Sequence, residues 1–142
     1  MSFGSRAVMR KTDSKAPEDK DLREFFALSL NLWCVAGTNG YFKRVNPAWE
    51  TTLGYTTEEL LARPYLDFVH PDDRNATISE ASAVIGGRTT LTFENRYRAK
   101  DGSYKWFLWS AIARPEKDVI YCVATDLTER KREEARRGAK LK

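Results

Sequence analysis

The sequence is poor in the residues that build disulfide and metal chemistry: two cysteines and one histidine in 142 residues. Cys34 and Cys122 are too few for a disulfide scaffold or a cysteine-only zinc site. Each sits in a strand-like apolar run, where a buried free thiol is expected. The single histidine, His70, removes any multi-histidine metal site, and a Ser-His-Asp or Cys-His centre would have to be built around it. No apolar run approaches the ~20 residues of a membrane span, and none follows the N-terminal basic residues as a signal peptide requires. These absences predict a cytoplasmic protein with no membrane span and no metal site.

What remains is one domain's worth of chain. The apolar fraction of 42% and charged fraction of 31% suit a globular fold with a real core. The net charge of +4 is unevenly placed: +2 falls in residues 1–20, +3 in residues 126–142 and −1 in between. The basic residues thus lie on the termini, whereas nucleic-acid binding wants a basic patch on a structured face. No nucleic-acid partner is expected.

Residues 1–20 show no periodicity and read as a flexible leader. A short helix is expected over 21–30, with Leu22, Phe25 and Phe26 on one apolar face. Leu32-Trp33-Cys34-Val35-Ala36 reads as a strand. Asn39-Gly40 is a hairpin turn, and Tyr41 to Val45 is the return strand. Asn46 is expected to cap a helix with Pro47 in its first turn, Trp49 and Leu53 inward and Gly54 at its end. Thr56 and Glu59 have the spacing of a capping box. His70-Pro71-Asp72-Asp73-Arg74 launches a longer helix whose stripe is read as Ile78, Ala81 and Ile85, with Ser82 on the same face.

The period then changes to two. Leu91, Phe93, Asn95 and Tyr97 alternate with polar residues, the pattern of a half-buried strand. Asp101-Gly102 marks a turn. Tyr104 to Ala113 is a long strand with Trp106, Phe107, Leu108 and Trp109 in a row, which reads as buried on both faces. After Pro115-Glu116-Lys117-Asp118 comes a last strand, Val119 to Thr125, and then a highly charged helix. Hairpins at both ends imply an antiparallel sheet with the helices on one face, an α+β arrangement.

Four segments, in order, resemble a PAS domain with its C-terminal PAC portion. They are Asn39 to Trp49 with Leu53 to Leu60, His70-Pro71-Asp72-Asp73-Arg74, Arg98 to Trp106, and Asp126-Leu127-Thr128-Glu129-Arg130. The resemblance implies a five-stranded antiparallel sheet with helices on one face. It divides the chain into a leader at 1–20, a PAS domain at 21–127 and a charged signalling helix at 128–142. It also implies a non-catalytic sensory or relay module, forming a homodimer and feeding an effector such as a bacterial histidine kinase or diguanylate cyclase. The residues do not separate a sensor from a ligand-free docking module. An enzyme would need His70 with Asp67 or Asp72, at a turn outside the core.

The family holds flavin, haem, small acids, metals or nothing. The flavin-binding members need a reactive cysteine, but the matching stretch, Ala62 to Asp67, has none, and the two sheet amide positions match Tyr97 and Phe107. Haem needs an axial ligand, and His70 lies at the start of the long helix rather than within it. Flavin and haem are therefore disfavoured, and no cofactor is predicted. On the strand phase implied by the match, Trp33, Val35, Phe93, Asn95, Tyr97, Phe107, Trp109, Cys122 and Ala124 point inward. Trp49, Leu60, Tyr65, Phe68 and Ile78 face them from the helices. So aromatic a wall predicts a filled core, with a small organic ligand as the alternative. Asn95 and Tyr97 are the polar exceptions, expected to bond backbone carbonyls. On this phase Cys34 and Cys122 face opposite sides of the sheet, so no disulfide between them is expected.

The outer face would carry Leu32, Cys34, Glu94, Arg96, Arg98, Trp106, Leu108, Tyr121 and Val123. Its apolar patch of Trp106, Leu108, Tyr121 and Val123 is too large to leave wet. The Leu22/Phe25/Phe26 helix is expected to cover it, within one subunit or across a dimer. Asp126 and Thr128 mark the junction where signal would leave. Beyond them only Leu127, Ala135, Ala139 and Leu141 are apolar, too thin a stripe for a coiled coil alone.

Overall fold

The computed structural model describes residues 19–141. In chain order these form helix α1 (Asp19–Leu28), strands β1 (Leu32–Gly37) and β2 (Phe42–Val45), and helices α2 (Ala48–Leu53) and α3 (Thr57–Leu61). Two 3-10 turns, Tyr65–Phe68 and Pro71–Asp73, lead into α4 (Arg74–Ile85). Then come β3 (Thr90–Arg98), β4 (Tyr104–Arg114), a 3-10 turn at Pro115–Lys117, β5 (Val119–Asp126) and α5 (Thr128–Leu141). Most of the leader expected at 1–20 lies outside the described residues, and its last two residues belong to α1.

All five strands form one antiparallel sheet in the order β2-β1-β5-β4-β3. Local chemistry sets the turns. Gly40 and Gly102 sit at φ 91° and 94°, where a side chain would be strained, and close the two expected hairpins. Thr56 and Glu59 form the reciprocal capping box that starts α3. His70 Nδ1 accepts from the Asp72 backbone N–H at 3.0 Å, so it caps the turn before α4.

The core lies between one sheet face and helices α2 to α4. Trp49 is its centre, fully buried, with its indole N–H donating to the Trp33 carbonyl at 3.0 Å. Its ring packs on Phe42, Tyr97, Phe107 and Trp109 at centroid distances of 4.8 to 6.0 Å. Three expectations fail here. Asn46 is not a helix cap: its Oδ1 accepts from Trp33 N–H, and its Nδ2 donates to the carbonyls of Phe26 and Asn31. It ties the end of α1 to β1 instead. The inward stripe of α4 is Thr77, Ala81 and Val84, while Ile78 and Ile85 are exposed. The third failure is the phase of β1. Leu32 pairs with Ala124 and Cys34 with Cys122, so Leu32, Cys34 and Ala36 face the core. Trp33 and Val35 face out, opposite Val123 and Tyr121.

Candidate functional site

Between α4 and the inner sheet face lies a cavity of about 70 Å³. Of the expected pocket residues, Tyr65, Phe93, Asn95, Tyr97 and Trp109 line it. Trp49, Phe107 and Ala124 belong to the surrounding core and do not reach it. Trp33 and Val35 are on the other side of the sheet. The alternation signal missed Cys34, Ala36, Phe42, Thr77, Val84 and Ile120, and also Glu80, Thr90 and Ala111, all of which line the wall. Phe42 and Ile120 are apolar members of short runs that period two alone does not place. Thr77 is a polar residue in an inward position, which a hydrophobic stripe does not register.

The two polar residues expected in this wall, Asn95 and Tyr97, behave differently. Asn95 is satisfied by side chains rather than by a backbone carbonyl. Its Oδ1 accepts from Trp109 Nε1 at 2.7 Å, and its Nδ2 donates to Thr77 Oγ1 at 3.1 Å. Thr77 in turn donates to the Asp73 carbonyl at 2.8 Å. Tyr97 is only 2% exposed, and among the described residues nothing hydrogen-bonds its hydroxyl. Burial first, then the nearby Cys34, Tyr65 and Cys122, pushes that hydroxyl well above the usual tyrosine range. Burial also raises the Tyr65 hydroxyl. The wall is thus mostly apolar and aromatic, with the Tyr97 and Tyr65 hydroxyls, both cysteines and, on the α4 side, Glu80, which accepts from Thr90 and pairs with Arg88.

One edge strand of the sheet is β3, and the segment before α4 bonds to it. His70 N–H donates to the Arg96 carbonyl at 2.9 Å. Asp73 accepts three times from Arg96: from its backbone N–H at 2.8 Å, its Nε at 2.9 Å and its guanidinium at 2.7 Å. Those bonds hold the Asp73 carboxyl below the usual carboxylate range. Arg96 also lies 5.0 Å over the Trp106 ring, and Lys131 of α5 lies over the same ring at 4.7 Å.

The outer face is covered only in part. Phe26 meets Trp33 edge-on at 6.1 Å, and Arg44 lies over Phe26 at 5.1 Å. This cover explains how Trp33 can sit outside the core. Leu22, Phe26, Tyr121 and Val123 line an open groove of about 730 Å³ between α1 and the sheet. Phe25 does not join them; it is 66% exposed. Trp106 and Leu108 share the outer face but lie away from α1 and outside the groove.

The expected junction is tightly bonded. Asp126 Oδ1 accepts from the Thr128 N–H at 2.9 Å and from its hydroxyl at 2.5 Å. Trp106 N–H donates to Thr128 Oγ1 at 3.0 Å, and Leu127 N–H to the Trp106 carbonyl at 2.7 Å. The start of α5 is thus locked to β4 as well as to β5. Among the described residues no group of three or more ligating side chains could hold a metal ion, and no helix is long and apolar enough to cross a membrane.

Comparisons with known proteins agree with this architecture. The description "PAS fold" matches residues 42–125, more than half of the chain. The probable diguanylate cyclase DgcE of Escherichia coli is 26% identical over 137 residues, covering 93% of this chain and 12% of that protein. The chain thus spans about an eighth of the length of the first curated relatives it matches, 12% and 13%. A domain of a sensory box sensor histidine kinase/response regulator from Geobacter sulfurreducens superposes with a TM-score of 0.67 at 23% identity, covering 75% of this chain and 92% of that one. The PAS-B domain of Drosophila melanogaster Cycle with bound ethylene glycol superposes with a TM-score of 0.57 at 21% identity, covering 67% and 96%. A sheet of five antiparallel strands, a helical layer enclosing a small cavity and a family match across both make the conclusion plain: the chain belongs to the PAS-fold family of sensory domains.

Proposed function

We propose that this chain is a sensory and relay module that dimerises and passes a signal through α5 to an effector such as a histidine kinase or diguanylate cyclase, with no catalysis of its own. One observation carries the reading. A continuous set of contacts runs from the helix that walls the cavity to the helix that leaves the domain. Thr77 of the cavity wall donates to the carbonyl of Asp73, in the turn just before α4; Asp73 bonds Arg96, Arg96 lies over Trp106, and Trp106 meets Lys131. A displacement of α4 by a ligand changes the Asp73–Arg96 pair first, and that pair bears on the same indole that seats α5.

The cavity's small size favours a small organic ligand over a flavin or haem. Its wall suits a molecule with one hydrogen-bond acceptor for Tyr97 and an otherwise apolar body. The bound ethylene glycol of the Cycle domain is of that size class. The groove beside α1 exposes Leu22, Ile112 and Tyr121 at 49%, 40% and 39%, apolar area that a second copy would cover. The net positive charge collects in the sequence at residues 1–20 and 126–142, which speaks against nucleic acid as the partner.

Native mass spectrometry and an absorption spectrum of the purified protein test both parts. The expected result is twice the chain mass and no visible band; a monomer, or a chromophore, overturns the corresponding part. Placed before a histidine kinase, the chain lacking residues 131–142 is expected to fold as before and to lose control of the kinase. Failure to fold would refute the role of α5 as a relay.

A further inference from the structure

We infer that Cys34 and Cys122 form a peroxide-oxidisable dithiol site inside the domain, closing to an intramolecular disulfide across β1 and β5. The two residues are direct partners in the antiparallel ladder. Partners of this kind place their side chains on one sheet face with Cα atoms about 4.5–5.5 Å apart. A disulfide spans Cα separations of about 4.4–6.8 Å. Both cysteines are free, and both line the inner cavity. The site follows from this geometry and does not rest on the sensory reading.

The environment assigns the two sulfurs different parts. Cys122 is half-buried, and Cys34 is 3% exposed. Burial and the neighbouring Cys122 raise the Cys34 thiol well above the ordinary range, so it is the poorer first nucleophile. The reagent must be small. A water needs about 10–15 Å³ of such space, and hydrogen peroxide, with two oxygens, fits the roughly 70 Å³ present. Cys122 Sγ attacks one peroxide oxygen while its thiol proton passes to the departing oxygen. The O–O bond breaks, one water leaves and a sulfenic acid remains. Cys34 Sγ then attacks that sulfur, the S–O bond breaks and the second water leaves. Two thiols and one peroxide give one disulfide and two waters; the thiols lose two electrons and peroxide takes them. The bond joins β1 to β5, the strand that runs into α5.

The test is to treat the reduced, purified chain with hydrogen peroxide and measure its mass without reductant. The expected result is a monomeric chain lighter by the two thiol hydrogens, a Cys34–Cys122 cross-linked peptide after proteolysis, and return to the starting mass with dithiothreitol. An unchanged mass, a chain that only gains oxygen, or a bond only between chains overturns the proposal. Cys34→Ser is expected to stop at a sulfenic acid on Cys122 that dimedone traps. Trapping on Cys34 in Cys122→Ser at an equal rate would overturn the assigned order. The wild-type peptide map decides the site even where a variant folds poorly.

Discussion

Lys131 Nζ lies 4.7 Å from the centre of the Trp106 ring and 2.9 Å from the Glu94 carboxylate, so one cation of α5 is seated on two adjacent strands. A cation over an indole at a half-exposed site contributes about 0.5–1 kcal/mol. Trp106→Ala is therefore expected to leave the core folded and to speed amide exchange in the first two turns of α5 by roughly two- to fivefold. Hydrogen exchange read by mass spectrometry checks this, and unchanged protection in α5 would remove Trp106 from the relay.

Thr128 closes the same junction with its hydroxyl. Thr128→Val keeps the shape but leaves the Trp106 N–H without its acceptor and removes the hydroxyl's bond to Asp126. An unpaired buried donor costs about 1–3 kcal/mol. Urea unfolding should show a loss in that range, with Thr128→Ser recovering most of it.

The Asp73–Arg96 pair makes stability depend on acid pH. The folded carboxyl titrates below 3.8, the ordinary aspartate value, because Arg96 bonds its charged form. Its contribution is therefore complete above that value and is lost as pH falls through the lower, folded value. Asp73→Asn is expected to be less stable than the parent at neutral pH, with the difference shrinking in acid. Unfolding curves between neutral and strongly acid pH measure this; a constant difference would mean the pair contributes nothing through charge.

Tyr97 supplies the test of the cavity. A buried hydroxyl without a partner costs about 1–3 kcal/mol. Tyr97→Phe should accordingly stabilise the ligand-free chain, by about 1 kcal/mol after relaxation. It should also weaken any ligand that uses that hydroxyl. A destabilised variant in thermal melts would mean the hydroxyl already has a partner. Trp49→Ala, by contrast, removes the centre of the core and should cost about 3–5 kcal/mol.

Part of this molecule was legible in the residues. The turns at Gly40 and Gly102 and the capping box of Thr56 and Glu59 were readable because each depends on chemistry within three or four positions. Alternation with polar residues put Phe93, Asn95 and Tyr97 on one face of β3, and the family resemblance supplied the phase that turned them, with Phe107 and Trp109 of β4, inward. Asp126 and Thr128 marked the junction, where two short polar side chains meet at a helix start.

Local pattern ran out where both choices were apolar. Leu32-Trp33-Cys34-Val35-Ala36 carries no polar residue to fix its phase, and sliding it by one residue exchanges its faces. Its pairing with β5 decided the matter, putting Leu32 and Cys34 inward, and α1 made the other face habitable for Trp33. The stripe of α4 was ambiguous in the same way, and Asn46 spends its side chain on partners as far as 20 residues away. The sequence by itself determined the turns, the strand alternation and hence the fold. Tertiary pairing alone decided the phase of β1, and with it the cover over Trp33 and the meeting of Cys34 with Cys122, because register energy is shared between strands distant in the chain.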